Sequence, residues 1–245
     1  MRRYRSKDGE ERLWYTDREI EDIMRVELEK AELLPTPDSP SVDIEGFVEF
    51  HLQVGFDRTA DLEPDVLGVT EFVLGGAPLI KINRDLTGSA LDEDDSPLGI
   101  LGRWRATVAH EASHVILHKV LFDVGSAQQG SFLFAEEAEP EIPRVFRSLK
   151  RDVSFAGCNS GDWREVQANM GMAALLMPKP VFLEVCQREL ERSPLLSLPN
   201  VGPDHPELRP LIGRLAEHFE VSKQAASIRL ETLGVLKQLG HPRLL

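Results

Sequence analysis

The chain has 245 residues and a formal net charge of −13, with 42% apolar and 28% charged residues. This composition fits a globular protein, and the acidic balance argues against wholesale coating of nucleic acid or anionic membrane while leaving room for a local contact patch. No apolar run approaches the roughly 18 residues of a membrane span, the start M-R-R-Y-R-S-K-D has no apolar core behind its charges, and Cys158 and Cys186 supply neither a disulfide framework nor a zinc finger, so the expectation is a cytoplasmic chain with reduced thiols.

Residues 1–15 are charged and expected to be loose. Thr16-Asp17-Arg18-Glu19 reads as a capping box. It opens a helix to about Leu34, with Ile20, Ile23, Met24, Val26, Leu28 and Leu33 as apolar positions. Pro35 to Ser41 holds three prolines and reads as a linker. The spacing of Ile44, Phe47, Val48 and Leu52 predicts a second helix from Val42 to Leu52. Three strand-like runs follow, Val54 to Asp57, Leu67 to Leu74 and Leu79 to Asn83. Gly75-Gly76-Ala77-Pro78 between the last two is a hairpin signal. A small antiparallel sheet of this kind can pack on a helix, and an edge strand beside a reactive cleft can bind an extended peptide by strand pairing. A purely structural sheet is an equally good account of any one residue in it. The acidic run Leu91 to Asp95 lacks the spacing and the glycine of a calcium loop and reads as solvated.

Ser96-Pro97 is a helix start, Ser as cap and Pro at the first helical position. The helix that follows carries His110-Glu111-Ala112-Ser113-His114. Two histidines four apart share one helical face, so both imidazoles can reach one zinc ion, and Glu111 beside the first can act as a general base on a water. A buried amphipathic helix with polar residues on its rim would show the same five residues. Ile100, Leu101, Trp104, Val108, Val115, Ile116 and Leu117 make this helix largely apolar. Once buried, its two histidines and glutamate need partners, and one metal ion serves all three. His118 continues the row, but it lies eight residues from His110, about 12 Å along a helix axis. That is too far to share one ion, so His118 reads as a surface residue or one behind the ligands.

Residues 123–161 are poorly patterned, with Ser131 to Phe134 as a candidate strand. So long a loop is uncommon unless it is functional or mobile, and either a flap over substrate or an insertion without a role fits. Asp162 to Pro178 reads as a helix rich in small residues, with Asp162 as cap. Its Glu165 can complete a His/His/Glu site and leave a fourth position for water. A surface carboxylate favoured by the helix dipole is the other account of Glu165, and Asp162 and Glu184 are rival carboxylates. His205 and His218 are candidate donors near a cleft on no evidence beyond residue type. Pro180 opens a helix from Val181 to about Arg192, and residues 193–206 look like a hinge. Leu211 to Phe219 and Lys223 to Leu233 read as a helix pair of helix-turn-helix type, with Ser222 as cap. From Pro203 onward six Lys/Arg face five Asp/Glu, too weak a patch for DNA binding. A packing role for the pair is the stronger expectation, with direct nucleic-acid contact through this region an unlikely use.

Three blocks in order, His110-Glu111-x-x-His114, Glu165-Val166-Gln167-Ala168-Asn169 and Leu175-Leu176-Met177-Pro178, resemble the ImmA/IrrE family of metallopeptidases. The resemblance runs over roughly Val42 to Leu236 and includes Val221, Ser222, Arg229, Leu230, Leu233 and Gly234. It implies an α+β fold, mainly helical and gluzincin-like, with a small antiparallel sheet and a C-terminal helix-turn-helix-like pair. It also implies His110, His114 and Glu165 as ligands of Zn2+, Glu111 as general base, and a protein substrate. That substrate would be a helix-turn-helix repressor controlling stress-response or mobile-element genes. Two departures stand out: the spacing of 51 residues from His114 to Glu165 is long for this family, and the first 40 residues have no counterpart. The domain expectation is an N-terminal helix and linker over 1–40, a zinc metallopeptidase domain over 41–192 and a helical region over 193–245. Manganese or iron could replace zinc in a His/His/Glu site. The rival functional reading is a non-catalytic regulatory binding module with a structural or inert metal site.

Overall fold

The computed structural model describes residues 2–5, 11–73, 76–91, 98–129, 144–148, 163–197 and 205–236. Strands β1 (Arg2–Arg5) and β2 (Glu11–Trp14) pair antiparallel, Arg2 opposite Trp14. The described part of the first 15 residues is therefore paired and not loose. Leu13 is buried to 1% exposure, and the Tyr15 hydroxyl donates to the Leu117 carbonyl at 3.3 Å. Leu13 and Tyr15 stand among many charges, and strand periodicity does not show there. Helix α1 (Asp17–Lys30) opens on the expected capping box. The Glu19 amide donates to Thr16 Oγ1 at 3.3 Å and the Thr16 amide to Glu19 Oε2 at 2.9 Å. Ile20, Met24 and Leu28 form its buried stripe.

Asp43 caps the short helix α2 (Ile44–Gly46), accepting from the Gly46 amide at 2.9 Å, and the chain continues as a π-helical turn over Phe47–Leu52. Strands β3 (Gly55–Ala60), β4 (Val66–Glu71), β5 (Leu79–Asn83) and β6 (Arg144–Ser148) form one sheet in the order β3-β5-β4-β6. β4 runs antiparallel to β5 and β6, but β3 runs parallel to β5. The sheet is mixed, which corrects the antiparallel expectation. Alternation of side chains reports which face a residue takes and is silent on the direction of the neighbouring strand. β6 lies within the supposed 123–161 loop, and residues 123–129 extend a helix. The candidate strand Ser131 to Phe134 lies outside the described residues, as do Ser96-Pro97 and residues 92–95 of the acidic run.

Helix α3 (Arg84–Leu91) was not anticipated; Asn83 Oδ1 accepts from the Asp85 amide at 2.9 Å at its start. The long helix α4 (Leu98–Gln129) is buried at every residue from Trp104 to Val115. Its faces are covered by the sheet, by α5 (Trp163–Leu176) and by residues of α2 and α3. A Cβ on Gly171 of α5 would lie 2.7 Å from Ser113 Oγ, 2.8 Å from Ser113 Cβ and 2.7 Å from Met24 Cε. The absence of a side chain at Gly171 sets how closely α5 lies on α4 and α1.

Helix α6 (Lys179–Glu191) has Pro180 in its first turn, and helices α7 (Leu208–Phe219) and α8 (Lys223–Thr232) form the C-terminal pair. Glu220 turns the chain in the left-handed conformation at φ 50°, and Ser222 Oγ accepts from the Ala225 amide at 3.1 Å. The pair is anchored by buried charge. Arg229 donates to the Met177 carbonyl through Nε and Nη2 at 3.1 and 2.7 Å and meets Glu21 at 2.7 Å. Arg105 of α4 donates to the Val42 carbonyl at 2.8 Å and meets Glu220 at 3.3 Å. Glu189 of α6 meets Arg214 at 2.5 Å and His218 at 3.2 Å. One buried apolar cluster includes Leu13, the central helices and Val235. Among the described residues no helix is long and apolar enough to cross a membrane.

Two expected outcomes follow from this packing. Gly171→Ala should lower stability by about 1–3 kcal/mol, the usual penalty for overpacking, whereas Gly213→Ala, with only Lys223 Cε near at 3.9 Å, should not. Thermal unfolding of both variants measures the contrast. Burial raises the Glu189 carboxyl, but the hydrogen bonds and charges of Arg214 and His218 outweigh it and hold the group below its ordinary 4.5. A depressed folded value contributes stability above the unfolded value, lost as pH falls through the folded one. Glu189→Gln should therefore be destabilising at pH 7, and its difference from the wild type should shrink steadily below about pH 4.5. Unfolding midpoints measured across pH test this.

Candidate metal centre

Helical spacing puts His110 and His114 on one side of α4, and the seating of α5 at Gly171 brings Glu165 over them. His110 Nε2 lies 3.2 Å from Glu165 Oε2, His114 Nε2 lies 3.3 Å from Glu165 Oε1, and the two ring nitrogens are 3.0 Å apart. One ligand-type atom from each of the three residues lies within 4.8 Å of the others. Two imidazole nitrogens and one carboxylate oxygen form a donor set suited to a divalent metal with an open fourth position. Two nitrogens facing each other at this distance are well served by a cation between them. The residues present therefore fit a metal ion. Burial would push the Glu165 carboxyl up, but the His110 and His114 rings that face it outweigh burial and hold it well below the usual carboxylate range. An ionised carboxylate is the form that binds metal.

A second layer orients these groups. His110 Nδ1 is 3.0 Å from Asn169 Oδ1. With Nε2 turned to the cluster, Nδ1 carries the hydrogen and donates to the amide oxygen, as metal-binding histidines generally do. His114 Nδ1 is 3.0 Å from His118 Nδ1, and His118 Nε2 is 3.1 Å from Gln167 Oε1. His118 is thus behind the ligands and not among them. Burial first, and then the charge of His114, push its imidazole down to about 3 despite the Gln167 hydrogen bond.

Glu111, next to His110 on α4, lies against the sheet and is fully buried. The Thr70 hydroxyl of β4 lies 2.8 Å from Glu111 Oε2 and 3.2 Å from the Glu111 carbonyl. A Cβ on Gly68 would lie 3.0 Å from Glu111 Oε1 and 3.1 Å from its Cγ. Gly68 leaves the space that the Glu111 side chain occupies. β4 is thus the strand that touches the candidate base, and both its edges are taken, by β5 and β6. The expected edge strand open to an extended peptide is not β4 in this arrangement.

Thr70 and Gly68 carry no motif of their own, and Gln167, though inside the second block, has no role assigned to it by the sequence; only the fold brings the three to the α4 histidines and glutamate. Among the rivals, Glu184 sits on α6 paired with Arg188 at 2.8 Å, and Asp162 lies outside the described residues. His218 belongs to the Glu189 ion network, and His205 Nδ1 accepts from the Glu207 amide at 3.2 Å. Asn169→Leu should weaken zinc binding about 10–100-fold by freeing the His110 ring. Competition with a chromogenic chelator reads this, and an unchanged affinity would contradict the orienting role of Asn169.

The pattern of α4 and α5 is recognisable beyond this chain. Residues 101–231, more than half of its length, match the Peptidase_M78 family, described as the IrrE N-terminal-like domain. No curated protein matches the chain closely enough to be compared with it. With His110, Glu111, His114 and Glu165 all inside the matched span, the chain belongs to the Peptidase_M78 family of metallopeptidases.

Proposed function

We propose that the chain is a zinc-dependent endopeptidase in which His110, His114 and Glu165 hold the metal and Glu111 is the general base. The observation that carries this reading is the His/His/Glu cluster beside a separate, fully buried carboxylate that Thr70 clamps. A structural metal site has no use for that extra carboxylate, which weighs against an inert binding module. A zinc ion held by these three residues would lower the pKa of a water toward about 7 and polarise a carbonyl. Glu111 takes the proton of the attacking water and returns it to the leaving amine nitrogen. Thr70 anchors Oε2, so the carboxylate keeps one orientation through both transfers. A third ligand supplied as a glutamate from a later helix supports a gluzincin-like arrangement.

The substrate in this proposal is a helix-turn-helix transcriptional repressor, cut in a stress-response or mobile-element switch. Family membership and the resemblance of the three blocks support this. The C-terminal helix pair serves packing in this account, since Arg229 and Arg105 tie it to the buried centre and its charge is nearly balanced.

The test is incubation of the zinc-loaded protein with purified helix-turn-helix repressors, with fragments identified by mass spectrometry. Glu111→Gln should lower the cleavage rate by about 10²–10⁴-fold while retaining zinc. Full activity in that variant would refute the assigned base. Absence of cleavage of any repressor, with unfolded casein still cut, would refute the substrate class alone.

A further inference from the structure

We propose that the N-terminal hairpin sets the tautomer of the metal-binding imidazole of His114, acting through Gln167 and His118. The inference rests on the metal site proposed above and extends it to a part of the chain outside residues 101–231, the span that matches the family.

The direction of each hydrogen bond follows from the first. The Leu13 carbonyl can only accept. The Gln167 atom 2.9 Å from it is therefore the amide nitrogen, Nε2. That orientation turns Gln167 Oε1, which also can only accept, toward His118 Nε2 at 3.1 Å. His118 Nε2 must then carry the hydrogen. A neutral imidazole holds one hydrogen, so His118 Nδ1 presents a lone pair. The group facing it at 3.0 Å is His114 Nδ1, which must donate. With its hydrogen on Nδ1, His114 keeps a lone pair on Nε2, the atom that faces His110 and Glu165. A flipped Gln167 would reverse every step and leave a hydrogen on His114 Nε2, where a metal must bind.

Each link is enclosed. His114 and His118 are fully buried and Gln167 is 5% exposed, so water does not compete for these bonds. The His118 ring also meets Trp163 edge-on at a centroid distance of 5.5 Å. The hairpin end is seated by the Leu13 side chain and by Tyr15, whose bond to the Leu117 carbonyl lies beside His118 on α4. Gln167 is thus a positioning residue that acts through two histidines, and the first strands of the chain belong to the support of the metal centre.

The test combines side-chain nitrogen-15 NMR with zinc affinity. In the zinc-free wild type, His118 should be protonated at Nε2 and His114 at Nδ1. The opposite tautomers would overturn the inference, and this readout needs neither zinc binding nor a variant. Zinc affinity is measured by chelator competition. Gln167→Leu should bind zinc about 10–100-fold more weakly. Equal affinities of wild type and Gln167→Leu would overturn it. Leu13→Asp, which unseats the hairpin, should also weaken zinc binding, and its effect should not add to that of Gln167→Leu. Additive losses would remove the hairpin from the relay. A wild type that binds no zinc but shows the expected tautomers would refute the metal reading and leave the relay standing.

Discussion

The structure is organised around a helical segment that has no solvent side. From Trp104 to Val115 every residue of α4 is buried, and His110, Glu111, Ser113, His114 and, one turn on, His118 are buried with it. Polar groups out of water cost free energy unless they are hydrogen-bonded or bind a metal. The rest of the fold supplies the partners. α5 brings Glu165, Gln167 and Asn169, β4 brings Thr70, and the N-terminal hairpin brings the Leu13 carbonyl. Even the small polar residues of α4 are satisfied within the helix, since Ser113 donates to the Ala109 carbonyl at 2.7 Å and Thr107 to the Arg103 carbonyl at 2.9 Å.

This constraint explains which parts of the protein can be read from sequence. α1 is legible because its cap and apolar stripe are local, and α5 because its small and apolar residues and the stop at Pro178 are local. His110, His114 and Glu165 come to notice by residue type and helical spacing, and the fold brings the three together. The parallel pairing of β3 with β5 is not legible, because it depends on a non-local partner. Neither is the hairpin, whose buried Leu13 sits among charges in the sequence. β6 escapes for a related reason: its five residues gain order from β4, 73 positions upstream at the pairing of Arg144 with Glu71. Thr70 and Gln167 are ordinary residues until the fold places one at Glu111 and the other at His118.

The arrangement also separates stability from chemistry. The ion pairs of Arg105, Glu189 and Arg229 fix how helices dock, through partners outside the His/His/Glu cluster. The histidine row, by contrast, is held by single hydrogen bonds whose directions matter as much as their lengths. A change at Gln167 or Asn169 therefore bears on metal binding through orientation, whereas a change at Glu189 bears on folding alone.

The central claim is that α4 and α5 together hold one metal ion. Elemental analysis of wild type and Glu165→Ala, purified without chelator, tests it most directly. The account predicts about one zinc per chain in the wild type, as a His/His/Glu site requires, and loss of that zinc in the variant. A wild type without metal after zinc is added, or a Glu165→Ala protein that keeps its full complement, would contradict it.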